Sequence, residues 1–302
     1  MKILYTNADS ISNKKDELEL LINQNNIDVA LICETEPKSS SLPAVPLIIE
    51  GYDVIENKDG RGVMIIYKEH LDVTPLDDIN QIFSPAIFIK ISNTHSFLHL
   101  GISYRSPNNP QSEDVKLNKQ IKTAATSLKN LFIYGDFNYP EVDWGNMYCG
   151  KSEEHPASQF LHTIEECRLD QLVENSTHIK PKCKPSLIDL ILTNNKDLSN
   201  NPSFKPPIGK SHHAVILSSL IFDKELTIQA ERIKKFQTNK GNYSAINDEL
   251  KEINWDKLFQ SASNDVNLVW SLISTKITEL RDKHIPFNLH QISKKKETLC
   301  YK

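Results

Sequence analysis

What this chain of 302 residues lacks narrows its class first. Cysteine occurs five times (Cys33, Cys149, Cys167, Cys183, Cys300), an odd number, scattered and without a CxxC pair. That excludes a disulfide scaffold and predicts free thiols in a reducing compartment. No apolar run approaches the length of a membrane span, so no membrane partner is expected. No secretory leader is recognisable: Lys2 is followed at once by a strand-like Ile-Leu-Tyr and then polar residues, which predicts an intracellular protein. Internal repeats, a phosphate-binding P-loop and zinc-ligand spacing are all missing. So is a basic excess, for the net charge is −4. Residues 226–302 hold 13 Lys/Arg and 9 Asp/Glu, net +4, which leaves 22 and 30, net −8, for the first 225. Nucleic-acid contact by the first part therefore requires a local basic groove or a metal ion, because the summed charge repels phosphate.

What is present points to a packed α/β protein. Hydrophobic residues make up 39% and charged residues 25%, enough for a sizeable core. The length suits one large domain, or one domain with an appendage. The organising stretch is Leu131–Trp144, LFIYGDFNYPEVDW. Leu131 to Tyr134 have the character of a buried strand, and Gly135 permits a tight turn. Asp136 and Asn138 follow two apart, on one side of an extended backbone. A carboxylate there can hold a metal, a water or an imidazole, and the amide can meet a phosphate. The plainer reading is a strand followed by an Asx turn.

Around this stretch the chain alternates strands and helices. Met1–Tyr5, a helix with Leu18, Leu21 and Ile22 inward, and Asp28–Cys33 form a strand–helix–strand unit, which predicts two parallel neighbours. Asn7 and Glu34 then share the carboxyl-end edge of the sheet, where ligands bind in open α/β proteins. A Ser/Pro loop is expected from Lys38 to Pro46. Strands at Tyr52–Glu56, Gly62–Tyr67, Ala86–Ile91 and Phe97–Tyr104 are too closely spaced for crossover helices and predict an antiparallel meander. Arg61-Gly62 breaks its first hairpin. Tyr104 ends its last strand, and Arg105 beside it is placed to face a phosphate. Helices are predicted over 112–130 and 157–167. Leu187–Thr193 is an apolar run with Asp189 inside it, a costly position for a carboxylate without a partner. The nearest candidate partner is Ser211-His212-His213: a buried Asp bonded to a His fixes the ring tautomer and raises its basicity. Residues 242–259 and 266–284 have helical periodicity, with Trp255 and Trp270 among the apolar positions. Ser293-Lys294-Lys295-Lys296 is a solvated tail.

The ordered set Asn7, Glu34, Tyr104, Gly135-Asp136-Phe137-Asn138, Ser186-Leu187-Ile188-Asp189 and Ser211-His212-His213 resembles the endonuclease/exonuclease/phosphatase superfamily, the DNase I-like fold. TNADS, GRGVMIIY, YRSP, GDFNYPEVDW and GKSHHAVI resemble more closely the apurinic-type endonuclease of CR1/jockey-like non-LTR retrotransposons. The resemblance covers about residues 1–222. Residues 226–302 look like the helical connector that precedes reverse transcriptase in such elements, which gives two domains, 1–225 and 226–302, of a truncated element protein. The resemblance implies an α/β fold with two sheets in a four-layer sandwich and a C-terminal helical extension. It also implies phosphodiester hydrolysis with magnesium, or manganese in its place, on a DNA substrate, and action in the nucleus. Carried over by position, it makes Glu34 the metal ligand with Asn7 beside it. Asp136 orients or deprotonates the attacking water, Asn138 and Tyr104 hold the phosphate, and Asp189 supports His213.

One position departs from the pattern: the family has Ser-Asp-His where this chain has Ser211-His212-His213. That leaves a metal-dependent DNA endonuclease as the first reading. A catalytically impaired nucleic-acid-binding remnant is the alternative, and a phosphatase on the same fold a third.

Overall fold

The structure is a computed structural model that describes residues 1–38, 47–222, 232–260 and 265–291. The Ser/Pro loop from residue 39 onward, the 293–296 run and Cys300 lie outside the described residues. The chain divides into two compact units, Met1–Glu225 and Leu226–Lys302.

The first unit begins with β1 (Lys2–Asn7), α1 (Lys15–Asn25) and β2 (Val29–Cys33). β1 and β2 pair in parallel, Ile3 opposite Val29 through Asn7 opposite Cys33, as the strand–helix–strand spacing predicts. β3 (Tyr52–Asn57) and β4 (Val63–Lys68) extend the same sheet beyond β2. The chain then crosses to a second sheet. There it forms β5 (Asp72–Pro75), the single turn α2 (Asp77–Asn80), β6 (Ala86–Ser92) and β7 (Phe97–Tyr104), followed by α3 (Gln111–Ser127) and β8 (Leu131–Asp136). A short ribbon of β9 (Val142–Asp143) and β10 (Tyr148–Cys149) and the helix α4 (Pro156–Glu166) follow. β11 (Asp170–Gln171) and β12 (Asp189–Thr193) complete the second sheet; β13 (Ser203–Lys205) and β14 (Val215–Ser219) return to the first. The sheets have the orders β13-β14-β1-β2-β4-β3 and β11-β12-β8-β7-β6-β5. The expected single meander is therefore split between the sheets. A link of hairpin length between β4 and β5 leaves one layer and enters the other.

Side-chain alternation explains the layering. Along β8, Phe132 and Tyr134 face the opposite sheet, packing with Tyr5, Leu31, Ile89 and Ile102. Leu131 and Ile133 face outward, under Leu117 and Ile121 of α3 and Phe160 and Ile164 of α4. On the first sheet Leu4, Ala30 and Ile32 face outward under Leu18 and Ile22 of α1. Every residue of β2 and β8 is buried, because each strand is covered on both faces. The result is helix, sheet, sheet, helix: two mixed sheets packed face to face with helices outside.

One local reading changes. Arg105 does not face a ligand. It is buried, with Nε 2.7 Å and a terminal nitrogen 3.1 Å from the Asp114 carboxylate of α3, and its guanidinium lies 4.0 Å from the Tyr139 ring centre. Breaking such a buried pair costs about 3–5 kcal/mol, so Arg105 belongs to the frame.

In the second unit β15 (Arg232–Phe236) pairs antiparallel with β16 (Phe287–Gln291). Between them lie α5 (Tyr243–Glu252), α6 (Trp255–Phe259) and α7 (Val266–His284). Glu249 of α5 accepts from Lys283 and His284 of α7 at 2.7 and 2.8 Å. Trp270, counted among the apolar positions of the sequence, is 67% exposed. No helix among the described residues is long and apolar enough to cross a membrane.

Candidate active site

The strands of both sheets end at one edge. Antiparallel register sets Asp189 of β12 opposite Asp136 of β8. Parallel register sets Tyr104 of β7 opposite Asp136 on its other side. Across the sandwich, β1 and β2 end at Asn7 and just before Glu34. Glu34 has φ +51°, and that left-handed turn at the end of β2 carries it beside Asn7.

Asn7 is the hub. Its Nδ2 donates to Asp136 Oδ2 at 2.8 Å and to Glu34 Oε1 at 3.0 Å, and its Oδ1 accepts from the Asp9 backbone N–H at 3.0 Å. Two carboxylate acceptors and one N–H donor leave a single orientation for the amide. Asn7 thus turns its nitrogen, not its oxygen, to the acidic groups and ties them together. The Ser211 hydroxyl, from the loop before β14, donates to the Asn7 carbonyl at 2.7 Å and fixes that loop to the strand end.

Asp189 is fully buried and has three neighbours. Tyr5 reaches across from the other sheet and donates to Oδ1 at 2.9 Å, His213 Nδ1 donates to Oδ2 at 2.8 Å, and the Asp189 N–H donates to Thr177 Oγ1 at 3.0 Å. His213 Nε2 then lies 3.9 Å from Asp136 Oδ2. Burial alone would depress the His213 ring, but the Asp189 charge and hydrogen bond, with Asp136 behind, raise it to about 9. Burial and the Asp189 charge lift Asp136 to about 8. Burial, then the Glu34 and Asp136 charges, push the Tyr104 phenol far above its ordinary range, so it stays a donor.

Asp136 also accepts from the Asn138 backbone N–H at 3.2 Å, the Asx turn of the plainer reading, while Asn138 Nδ2 donates to the Arg105 carbonyl at 2.8 Å. The turn and the polar pocket coexist. His212 points elsewhere: its ring packs edge-on against His178, centroids 6.1 Å apart, and its side chain lines a groove with Ile179 and Phe204. His178 in turn lies 4.7 Å from the His213 ring.

The structure thus brings together Asn7, Glu34, Tyr104, Asp136, Asp189 and His213, with Asn138 joined through its backbone. Asp9, Arg61, Tyr5 and Thr177 take part without having been singled out in the sequence. Arg61 Nε and a terminal nitrogen lie 3.0 and 2.5 Å from Glu34 Oε2, and that nitrogen lies 2.7 Å from Asp9 Oδ1. Asp9 carried a signal, two residues after Asn7 in TNADS; Arg61 carried only that of a turn.

The donor set suits a hard divalent cation. Ligand atoms of Asp136, Asp189 and His213 all lie within 4.8 Å of one another; with the His213 ring taken by Asp189, the oxygen donors are the carboxylates, and Glu34 adjoins Asp136 through Asn7. A carboxylate whose proton affinity is raised by burial and a like charge beside it, as that of Asp136 is, is the electrostatic counterpart of a bound cation.

Two packed mixed sheets with outer helices of this kind make the DNase I-like fold. Residues 98–217 match the family described as "Endonuclease-reverse transcriptase". The probable RNA-directed DNA polymerase from transposon X-element of Drosophila melanogaster is 26% identical over 203 residues, covering 64% of this chain and 21% of that protein. The chain therefore spans about a fifth of the curated relative it matches. Among solved structures, the endonuclease domain of TRAS1, a telomere-specific non-LTR retrotransposon, superposes with a TM-score of 0.57 at 19% identity over 74% of this chain and 99% of that one. The AP endonuclease LMAP of Leishmania major gives 0.55 at 12% over 72% and 86%. A 3′ phosphatase from Neisseria bound to product DNA hairpin gives 0.54 at 15% over 74% and all of that chain.

Proposed function

We propose that residues 1–225 form a divalent-metal-dependent phosphodiester hydrolase, a DNA endonuclease that nicks target DNA as part of a retrotransposon-type protein acting in the nucleus. One observation carries the reading. Asp136 stands between a buried Asp189–His213 pair and the Asn7–Glu34 pair, so a general base, a cationic stabiliser and a metal carboxylate converge on one small space.

Magnesium, or manganese in its place, would be held at Glu34 beside Asn7, where it supplies polarisation of a phosphoryl oxygen and charge neutralisation. Asn7 keeps Glu34 and Asp136 in register. Asp136, raised to about 8 in the metal-free protein, holds its proton at neutrality; a cation bound beside it would lower that value and free the carboxylate to take a proton from water. Asp189 holds the His213 proton on Nδ1 and directs Nε2 outward. At about 9 the ring is an imidazolium at neutral pH, so His213 serves as an electrostatic stabiliser of phosphate charge rather than as the base. Tyr104 keeps its phenolic proton for a phosphate oxygen, and Asn138 has its second amide hydrogen for the same purpose.

The impaired-remnant reading rests on His212, whose side chain packs against His178 rather than joining the cluster. Plasmid nicking tests both. We expect magnesium-dependent conversion of supercoiled to open-circle DNA by the wild type and none by Glu34→Gln, which keeps the volume and removes the charge. DNA binding without any nicking at high protein concentration would favour the remnant. A 3′-phosphorylated oligonucleotide in the same assay tests phosphatase activity.

A further inference from the structure

Glu34 is already engaged by a cation of the chain's own, and the seat of that cation is built into the fold. Arg61 lies in the turn between β3 and β4. Gly62 follows it at φ +75°, and a Cβ there would meet Thr35 Oγ1 at 2.3 Å. Because position 62 has no side chain, the turn docks flat on the segment after β2: the Glu36 N–H donates to the Arg61 carbonyl at 2.9 Å and the Thr35 N–H to the Gly62 carbonyl at 3.4 Å. Arg61 is thereby held beside Glu34 by main-chain bonds.

Its guanidinium makes three kinds of contact. Two nitrogens converge on one oxygen, Glu34 Oε2, at 3.0 and 2.5 Å. One of those nitrogens also bonds Asp9 Oδ1 at 2.7 Å. The remaining terminal nitrogen donates to the Glu36 carbonyl at 2.6 Å. The Arg61 and Glu34 side chains are 16% and 12% exposed, so this is not a loose surface pair. Glu34 Oε1 is bonded to Asn7, a neutral donor that serves Asp136 as well. Both carboxylate oxygens are thus engaged, and the arginine fills Oε2 with two donors.

We propose that Arg61 is a built-in competitor for the divalent ion at Glu34, and sets how much ion the site takes up. This rests on the metal-dependent reading above. A guanidinium and a divalent ion are both cations and cannot share Oε2 without mutual repulsion, and arginine stays charged at every working pH, so titration does not lift the competition. In the ion's absence Arg61 offsets the repulsion between Asp9 and Glu34. Its bond to the Glu36 carbonyl need not break when Oε2 is surrendered, so the guanidinium can pivot on that anchor. Arg61 is a positioning residue on this account, acting through Glu34.

The test is a manganese titration of the full chain, followed by the loss of the free-ion EPR signal, for wild type, Arg61→Gln, Arg61→Lys and Glu34→Gln. Arg61→Gln should bind manganese at least about tenfold more tightly, because removing a unit charge a few ångströms from a divalent ion is worth more than that even at the dielectric of bulk water. Arg61→Lys, which keeps the charge, should stay close to wild type. Wild-type binding with Arg61→Gln equal or weaker removes the competitor alone. Binding only in Arg61→Gln supports it in its strongest form. Binding in neither removes the metal reading and the competitor with it. Should Arg61→Gln fail to fold, the wild-type protein answers through the Arg61 Nε–H resonance. A shift on saturation with magnesium supports displacement from Glu34, and an unmoved resonance overturns it.

Discussion

Replacing Asp189 by Asn tests the arrangement at its most buried point. The change keeps the side-chain volume and leaves an oxygen for the Tyr5 hydroxyl at Oδ1, but removes the charge 2.8 Å from His213 Nδ1. With that charge and hydrogen bond gone, burial is opposed only by the Asp136 and Glu34 charges, and His213 should fall clearly below about 9. Asp136, freed from its nearest like charge, should fall from about 8 toward the ordinary range. The sign for stability follows. Both groups are raised in the folded state, so each contributes stability that is full below its unfolded value and is lost as pH rises through its folded value. For His213 the window runs from 6.5 to about 9, and the contribution is on the order of 3 kcal/mol. For Asp136 the window opens at 3.8 and closes near 8. Metal-free wild type should therefore lose urea resistance from mild acid to pH 9, and Asp189→Asn should show a much flatter profile. Nicking should fall by about 10²–10⁴-fold, because an Asn can also donate to Nδ1 and hold the wrong tautomer. Proton NMR of the His213 ring in metal-free protein gives the decisive value. A midpoint still near 9 in Asp189→Asn would refute the assignment of Asp189 as the group that charges the ring.

Three further outcomes are expected. Residues 1–225 alone should be soluble and unfold in one cooperative urea transition, since both large sheets are complete by Ser219; an aggregating or non-cooperative product contradicts this. His212→Asp should speed nicking, provided that the shorter carboxylate turns from the His178 face, where His212 lies, toward the cluster; a wild type already as fast as the variant shows that the carboxylate is dispensable. Gly62→Ala should destabilise the protein by about 1–3 kcal/mol, because φ +75° and the Thr35 contact both oppose a Cβ, and a melting temperature equal to wild type would show that the turn yields.

Much of the frame was legible because it is local. The β1–α1–β2 unit and the placement of Asn7 and Glu34 at one edge follow from spacing and handedness alone, and Asp189 inside an apolar run demands a partner wherever it lies. The sheet assignment of β3 to β7 was not legible, because a short link looks the same whether it turns back in one sheet or steps to the next. Arg105 misled for a related reason: its partner Asp114 lies on a helix whose position the sequence does not show. The Arg61–Asp9 contact joins residues 52 apart and depends on a glycine that reads only as a turn.

β1 lies between β2 and β14, and its register with β14 joins Lys2 to Ser219 and Tyr5 to Ile216. The strand that carries Asn7 therefore acquires its second hydrogen-bonded neighbour only from sequence some 200 positions later, as does Asn7 itself through Ser211, 204 residues away. During synthesis the first sheet must wait, with one side of its central strand open, until nearly the whole first unit has been made. Contacts of such long range slow folding, and an open apolar edge invites pairing with another chain. Products broken off before β14 should be both inactive and prone to aggregate, so the site can assemble only in a chain that has been read through β14.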